Sequence, residues 1–312
     1  MKGLGRKIVA VTLLGVLVFG ALVLYGDVST LRRDLGAYAW SHFALALLLA
    51  ATNYAVRFVR WEAYLGILGI RLGKRESALT FLSGFVMSIT PGKVGEVWKS
   101  VLLSERHGYP VARTAPIVVA ERLTDLLSLI LLAAVGAVTF RIGWTAIAGG
   151  IGMVSAVLVT VSSRTVSAAC IRLAGRLPLA RRIAPKLEEA VESLQELVTP
   201  RRLVLPTFLA AAAWFCECLA YYEIFRGFAG VEVGLEPATF VYSVSTIAGA
   251  VAMMPGGLGV TELGMTGLIQ LLAPDVGPST ASASTMLVRL ATLWFAVAIG
   301  GAAYGLLRRA GR

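Results

Sequence analysis

Eleven charged side chains lie within stretches of sequence that are otherwise apolar, and these residues are the best suited to chemistry. They are Arg57, Lys93, Glu96, Lys99, Glu121, Arg122, Asp125, Glu217, Glu223, Glu262 and Arg289. If the apolar stretches cross a bilayer, a charge near its centre costs about 2.5–3.5 kcal/mol on insertion scales. Such residues are therefore retained for pairing or for binding.

The sequence leaves two uses of these charges open. In the first, the charges pair with one another: Arg122 and Asp125 are three residues apart on one predicted helix, and Arg289 could meet Glu262 or Glu217. In the second, they bind the phosphate of an anionic head group, because arginine and lysine donate charge-assisted hydrogen bonds to phosphate oxygens. The binding hypothesis assigns the head group to Arg57, Lys93, Arg122 and Arg289, and charge balance or proton coupling to Glu96, Asp125, Glu217 and Glu262.

Two short segments interrupt the apolar pattern with proline and glycine, which break helices. The breaking residues are Pro91, Gly92 and Gly95 in the first segment and Pro255, Gly256, Gly257 and Gly259 in the second. Irregular backbone at membrane depth is tolerated only where protein or a wet cavity satisfies its polar groups, so both segments predict a binding cavity. Half-helices starting after Gly92 and Gly256 are expected to point unpaired backbone amides at an anion.

The two broken segments belong to an internal duplication. Both contain a Pro-Gly-x-aliphatic-Gly core with an acidic residue close by, Glu96 in one and Glu262 in the other. The flanking features recur in the same order: Trp61-Glu62 and Tyr222-Glu223 upstream, Arg122-Leu123 and Arg289-Leu290 downstream. Corresponding Gly/Pro-interrupted segments in two halves are typical of a transporter's binding site.

The duplicated segments differ at one informative position. Lys93 in the first segment corresponds to Gly257 in the second. We therefore expect an asymmetric site, with a fixed positive charge on one hairpin and only backbone amides on the other. An anionic head group should then bind more strongly from the inner leaflet.

Composition indicates an all-α polytopic membrane protein. The chain has 312 residues, of which 57% are hydrophobic and 15% charged, and its net charge is +11. The basic residues cluster in particular loops without interleaved aromatic residues, which favours topology-setting charge over nucleic-acid binding. The three cysteines and two histidines form no metal-binding or disulfide pattern, so we expect no metal and no cofactor.

Apolar length and loop charge predict about six full transmembrane spans and two re-entrant helical hairpins. The spans are 8–25, 41–67, 115–140, 144–161, 203–228 and 279–307, and the hairpins are 77–104 and 237–272. With the basic loop 162–202 placed in the cytoplasm, both termini are cytoplasmic and the repeats 41–140 and 203–312 have opposite orientations. We therefore predict one integral membrane domain, 1–312, with an inverted-topology repeat, preceded by a span and outer loop at 1–40 and joined by 141–202.

Two local features have alternative interpretations. Arg57, Arg60 and Glu62 lie toward the inner end of the second span, where they could simply snorkel to the membrane surface. Residues 185–198 have the pattern of an amphipathic helix. This helix could lie at the membrane surface or on the inner mouth of the protein, or it could serve as a plain connector between the halves.

The sequence contains no recognisable catalytic constellation. It has no Ser/His/Asp or Cys/His arrangement, no zinc-protease motif and no phosphate loop, because the Pro-Gly-Lys-Val-Gly run lacks the required Gly-Lys-Ser/Thr ending. We therefore predict a transporter-like protein that is not an enzyme. A membrane transferase using Glu96 or Asp125 as a base is the alternative within the enzyme class.

Three motifs in order resemble one family over nearly the whole chain. They are TPGKVGEVWKS at 90–100, ERLTD at 121–125 and MPGGLGVTE at 254–262, and together they resemble the transmembrane domain of bacterial lysylphosphatidylglycerol synthases, also described as flippase-like proteins. In bifunctional members, that domain is thought to move aminoacylated phospholipid across the bilayer while a separate soluble domain performs aminoacyl transfer. The 312 residues leave no room for that soluble domain, so the resemblance does not imply synthase activity.

These observations predict a lipid flippase of the bacterial inner membrane that moves an anionic phospholipid or lipid-linked head group between leaflets. The alternative is a non-transporting membrane partner of a lipid synthase or glycosyltransferase. The expected partners are therefore a membrane lipid as substrate and, in the alternative, such an enzyme. The lipid's identity, the direction and energy coupling of transport, and homo-oligomer formation are left open.

Overall fold

The computed structural model describes residues 2–90, 94–142, 144–162 and 184–310. Every regular element in these ranges is helical, and none is a β-strand. The α-helices are α1 (Lys2–Tyr25), α2 (Val28–Gly36), α3 (Trp40–Ile67), α4 (Lys74–Ser83), α5 (Trp98–His107), α6 (Val111–Thr114), α7 (Pro116–Phe140), α8 (Trp144–Ser162), α9 (Ala184–Leu197), α10 (Pro200–Arg226), α11 (Leu235–Val251), α12 (Val260–Leu272), α13 (Pro278–Arg289) and α14 (Phe295–Ala310). The predicted all-α class is confirmed.

Four helical stretches in the described chain are long and apolar enough to cross a membrane. They are Trp40–Ile67, Val111–Phe140, Pro200–Arg226 and Pro278–Arg309. A fifth is obtained if Leu13–Tyr25 and Val28–Gly36, which meet at 94°, form one bent span. The predicted span 144–161 coincides with α8, which is not among these stretches, so the count of six and the orientation of each span stay predictions.

The order long helix, half-helix, break, half-helix, long helix occurs twice, from α3 to α7 and from α10 to α14. The packing repeats as well. Helix α3 packs along α10, its counterpart in the other half, while α7 packs on α11 and α14 packs on α4. Each half thus places its last helix against the first half-helix of the other, as two related halves facing each other would. Re-entry of the hairpins and their opposite orientation in the membrane stay predictions.

The second broken segment, called here the second break, needs its glycines for their backbone conformation. Gly256, Gly257 and Gly259 have φ of 60°, 71° and 87°, in the left-handed region that residues with a Cβ rarely adopt. A Cβ on Gly257 would also lie 2.5 Å from the Thr261 hydroxyl oxygen. One expectation is wrong here: the half-helix α12 begins at Val260 and not directly after Gly256, because the chain needs these residues to turn.

The first break is described only in part. After α4 the chain continues as a 3₁₀ turn, Gly84–Met87, and it resumes as a second 3₁₀ turn, Val94–Val97, that leads into α5. Gly95 donates its backbone amide to the Thr90 hydroxyl at 2.8 Å. Pro91, Gly92 and Lys93 lie outside the described residues.

Helix α9 is the amphipathic segment that the sequence predicted near 185–198. It packs against α6, α7 and α8, and Leu197 and Val198 at its end are buried. Arg113 on α6 reaches Glu196 at 3.5 Å. The apolar face of α9 is therefore turned toward the protein itself.

Candidate functional site

A cavity of about 180 Å³ lies between the two halves. Helices α3, α7, α8, α10 and α11, the second break and the α13–α14 segment all contribute to its wall. Among the predicted head-group and charge-balancing residues, the structure places Arg57, Arg122, Arg289, Asp125 and Glu217 on this wall. Glu96 and Glu262 lie behind it as partners of the wall arginines, and Lys93 lies outside the described residues.

The first group of ion pairs surrounds α7. Arg122 Nη2 lies 3.1 Å from Glu96 Oε2 and 3.1 Å from Asp125 Oδ2. Asp125 also accepts a hydrogen bond of 2.6 Å from Arg60 Nη1. Buried carboxylates are therefore shared between cations from different helices, and this sharing compensates the cost of their burial.

Lys99 joins this group of ion pairs through Glu96 and Glu121. Its ammonium lies 2.6 Å from Glu121 Oε2 and 4.0 Å from Glu96 Oε2, and it stands 4.8 Å from the ring centroid of Trp61 and 5.4 Å from that of Phe81. An ammonium held between two aromatic rings and a carboxylate is well compensated for its burial. Lys99 thus ties the half-helix α5 to α3, α4 and α7.

Sequence reasoning missed the positions of Arg60 and Lys99 in the site. Snorkelling was one interpretation of Arg57 and Arg60, and it is wrong for both because Arg57 is 6% and Arg60 0% exposed. The available signal was spacing: residues three apart share one face of a helix, so Arg57 and Arg60 point the same way. The i, i+3 spacing of Glu96 and Lys99 carried a similar signal.

The second group of ion pairs holds the second break. Arg289 Nε donates to Glu262 Oε1 at 2.6 Å, and its Nη2 donates to the Gly256 carbonyl at 2.6 Å. Two partners were expected for Arg289, and in the structure it pairs with Glu262. By the internal duplication, this pair corresponds to Arg122 and Glu96 in the first half. A π-helical turn, Leu290–Trp294, follows Arg289 directly, and such turns are frequent at functional sites.

The expectation that α12 offers free amides to an anion is wrong. The Gly259 amide donates to Glu262 Oε2 at 2.6 Å, so the helix start is capped by a carboxylate from its own first turn. The amides of Gly257 and Leu258 donate to the carbonyls of Met254 and Pro255. The backbone of the second break is therefore largely satisfied within the chain, and the cations on the wall are the better anion donors.

Glu217 brings a carboxylate from α10 to the same cavity. It accepts a hydrogen bond of 2.5 Å from the hydroxyl of Tyr242 on α11. Nearby, the Tyr54 hydroxyl donates to the Thr292 carbonyl at 2.8 Å, within the π-helical turn. Two tyrosines thus set the carboxylate and the turn in fixed positions on the wall.

Arg57 differs from the other arginines of the cavity. Its guanidinium lies 5.2 Å from the ring centroid of Phe85, and neither Nε nor Nη2 has a hydrogen-bond partner. No ion pair links it to any residue in the described ranges. Burying a cation that forms no ion pair and leaves two nitrogens without hydrogen-bond partners is costly. It is therefore the natural attachment point for an anion from outside the chain.

The two broken segments contact each other beside this cavity. Ile89 from the first segment packs with Leu258 from the second and with Leu293 from the π-helical turn. The Cα of Ile89 lies 3.6 Å from the place where a Cβ on Gly256 would be. These three residues form an apolar contact, called here the tip seal, that joins the two breaks.

The family model described as lysylphosphatidylglycerol synthase TM region matches residues 9–300. The chain belongs to that family. It is similar to a UPF0104 membrane protein of Methanothermobacter thermautotrophicus, with 26% identity over 92% of this chain and 90% of the relative. A UPF0104 membrane protein of Pyrococcus horikoshii is 25% identical over 82% and 84%, respectively, and one of Methanocaldococcus jannaschii is 24% identical over 72% and 95%.

This membership confirms a multi-pass membrane protein of the lysylphosphatidylglycerol synthase TM type. The named relatives are archaeal, so placement in a bacterial inner membrane stays a prediction, as does the cytoplasmic location of both termini. The relatives' names state no activity, and the roles of the site residues likewise stay predictions.

Proposed function

We propose that the protein moves an anionic lipid between the two leaflets, with the head-group phosphate bound at Arg57. The observation that carries the proposal is the buried guanidinium of Arg57, which faces the cavity and forms no ion pair within the described chain. A phosphate oxygen would supply the missing counter-charge through charge-assisted hydrogen bonds. The purpose of the costly burial is then to bind the ligand.

The remaining charges have different tasks in this scheme. Arg122 and Arg289 contact the cavity but are already paired with Glu96 and Glu262, so they hold the two halves of the site in place. Glu217 places a negative charge in the same cavity as Arg57. This charge lowers the free-energy cost of burying the Arg57 guanidinium before the ligand binds. Afterwards Glu217 competes with the phosphate for that guanidinium.

The position of the cavity suits movement between leaflets. The cavity lies where the two halves face each other, and both breaks reach it through Ser88, Gly256 and Gly257. In alternating access, a fixed site is opened to each side in turn as one half moves against the other. The tip seal of Ile89, Leu258 and Leu293 is the contact between the breaks that such a motion would separate.

Purified protein in liposomes tests the proposal. The vesicles carry a fluorescent phosphatidylglycerol in both leaflets. A membrane-impermeant quencher, added outside, reports over time the fraction of this lipid that has reached the outer leaflet. We expect loss of the protected fraction in protein-containing vesicles but not in vesicles without protein. A protein that only scaffolds a lipid synthase or glycosyltransferase would leave the protected fraction unchanged, and that result would contradict the proposal.

A further inference from the structure

The lining of the cavity combines charged and apolar side chains. Its charged residues are Arg57, Arg122, Asp125, Glu217 and Arg289. The remaining wall includes Leu126, Leu129, Met153, Ala250, Met253 and Met254. A ligand that fills such a space has an anionic part and a hydrocarbon part.

Part of the apolar lining reaches the surface of the protein. Met253 is 52% and Met254 36% exposed although both line the cavity, and Ala250 is exposed beside them. Met153 on α8 also lines the cavity and is half-buried. The cavity therefore has an opening between α8 and the segment that follows α11, called here the methionine mouth (Met153, Met253 and Met254).

If α8 crosses the bilayer, as the sequence predicts for 144–161, the mouth lies at the depth of the bilayer core. Helix α8 has 19 residues, which span about 28 Å at 1.5 Å per residue. Met153 is its tenth residue, halfway along a helix about as long as the hydrocarbon core is thick. The exposed neighbour Val251 is also apolar. On that prediction, the opening faces lipid tails rather than water.

From this mixed lining and its exposed methionines we infer that the ligand bound at Arg57 keeps its acyl chains outside the protein, passing them through the methionine mouth into the bilayer core. The inference rests on the proposed function and specifies its substrate as an amphiphile held by its head group alone. Methionine suits this position because its unbranched, polarisable side chain adapts to chains of different shape. The left-handed backbone of Met253, with φ of 54°, turns the chain at the rim and marks a position under local strain.

One consequence concerns specificity. Because the chains lie in the bilayer, their length and unsaturation make no fixed contacts with the protein, whereas the head group does. Transport should therefore discriminate between phosphatidylglycerol and a lipid with a neutral head group but not between phosphatidylglycerols of different chain length. A water-soluble phosphate ester such as glycerol phosphate would lack the hydrocarbon part that the mouth accommodates.

Photocrosslinking tests the path of the chains. Met153 is replaced by photoreactive benzoylphenylalanine, and Phe208 on α10, which is 68% exposed, carries the same group in a control. Both proteins are reconstituted in phosphatidylglycerol vesicles, with and without Arg57→Gln. We expect Arg57→Gln to reduce lipid crosslinking about tenfold at position 153, which corresponds to 1.4 kcal/mol of binding, and to leave position 208 unchanged. Equal crosslinking at 153 with and without Arg57→Gln would overturn the inference.

A pair of tryptophan substitutions gives an independent readout. Met153→Trp narrows the mouth, whereas Ile151→Trp adds the same bulk on α8 at a residue that does not line the cavity. We expect Met153→Trp to slow lipid exchange and Ile151→Trp to leave it near wild type. If wild-type protein exchanges lipid and both variants exchange it equally well, the acyl chains do not pass through the methionine mouth, and the proposed function stands. If wild-type protein exchanges no lipid, the proposed function fails and the inference fails with it.

Discussion

Arg57 and Arg60 lie three residues apart on α3, both buried, yet only Arg60 has a carboxylate partner in the described chain. Its Nη1 lies 2.6 Å from Asp125 Oδ1, whereas the Arg57 guanidinium faces the cavity beside the Phe85 ring. The two residues share one helix and one chemistry, so they form a matched pair for separating structure from binding. The stability of the fold should tolerate substitution of Arg60 poorly and substitution of Arg57 well.

Arg60→Gln is expected to destabilise the protein by about 3–5 kcal/mol, because it breaks the buried ion pair of 2.6 Å with Asp125. Thermal unfolding of the purified protein in detergent measures this loss. Asp125→Asn in the same chain should recover part of it, since the two substitutions act on one interaction. Strictly additive losses in the double variant would show that the pair does not contribute as described.

Glu262→Gln is expected to loosen the second break, because Glu262 both pairs with Arg289 and caps the Gly259 amide. The cost should be about 3–5 kcal/mol for the pair, with about 1 kcal/mol more for the cap. Proteolysis or hydrogen exchange at residues 252–260 would report the change locally. Unchanged exchange there, with stability lost elsewhere, would contradict the role assigned to Glu262.

Glu217→Gln is expected to raise the affinity for an anionic lipid several-fold. The substitution keeps the shape of the side chain and removes a negative charge from the cavity that holds Arg57, so a phosphate meets less repulsion. Thermal stabilisation by increasing phosphatidylglycerol in mixed micelles measures the shift. The neighbouring Glu223→Gln serves as a control, because Glu223 is absent from the cavity wall. Weaker binding after Glu217→Gln would mean that this carboxylate contacts the head group favourably.

Glu76 makes the stability of the fold at the base of the first hairpin depend on pH. The hydrogen bond from Arg106, 2.9 Å long, holds the pKa of Glu76 below its ordinary value of 4.5. A carboxyl whose pKa is lower in the folded state stabilises the fold above its ordinary pKa, and this contribution is lost as the pH falls through the folded pKa. Because Glu76 is partly exposed, the effect should be below about 1 kcal/mol.

Glu76→Gln tests this effect by thermal unfolding between pH 3 and 7. Wild-type protein should be slightly more stable than the variant at neutral pH, and the two curves should converge in acid. Parallel curves across the whole range would show that the Glu76 carboxylate does not stabilise the hairpin base.

The sequence predicted the relationships that depend on the duplication. Each half has a glutamate just beyond the Pro-Gly core and an arginine further along, so finding one Arg–Glu pair in each half, Arg122 with Glu96 and Arg289 with Glu262, agrees with the repeat. The sequence also predicted the broken helices, from Pro255 and the glycines beside it.

Other features depend on packing between distant parts of the chain, and spacing does not reveal them. Burial of Arg60 follows from α7 bringing Asp125 to it across 65 residues. The start of α12 was misplaced because Gly259, and not Gly256, is the last left-handed residue of the break. That Arg57 forms no ion pair with any residue that the structure describes likewise depends on the three-dimensional arrangement, and the spacing of the carboxylates in the sequence does not reveal it.

The most direct test of the central claim is to measure lipid exchange and thermal stability together for Arg57→Gln, with Arg60→Gln as the matched control. Losing charge-assisted hydrogen bonds to a phosphate costs about 1.5–3 kcal/mol, so Arg57→Gln should slow exchange about tenfold or more. Its unfolding temperature should equal or exceed that of wild type, because an uncompensated buried charge has been removed. If Arg57→Gln instead unfolds as early as Arg60→Gln while its folded fraction exchanges lipid at the wild-type rate, Arg57 is a structural residue and the proposed site is wrong.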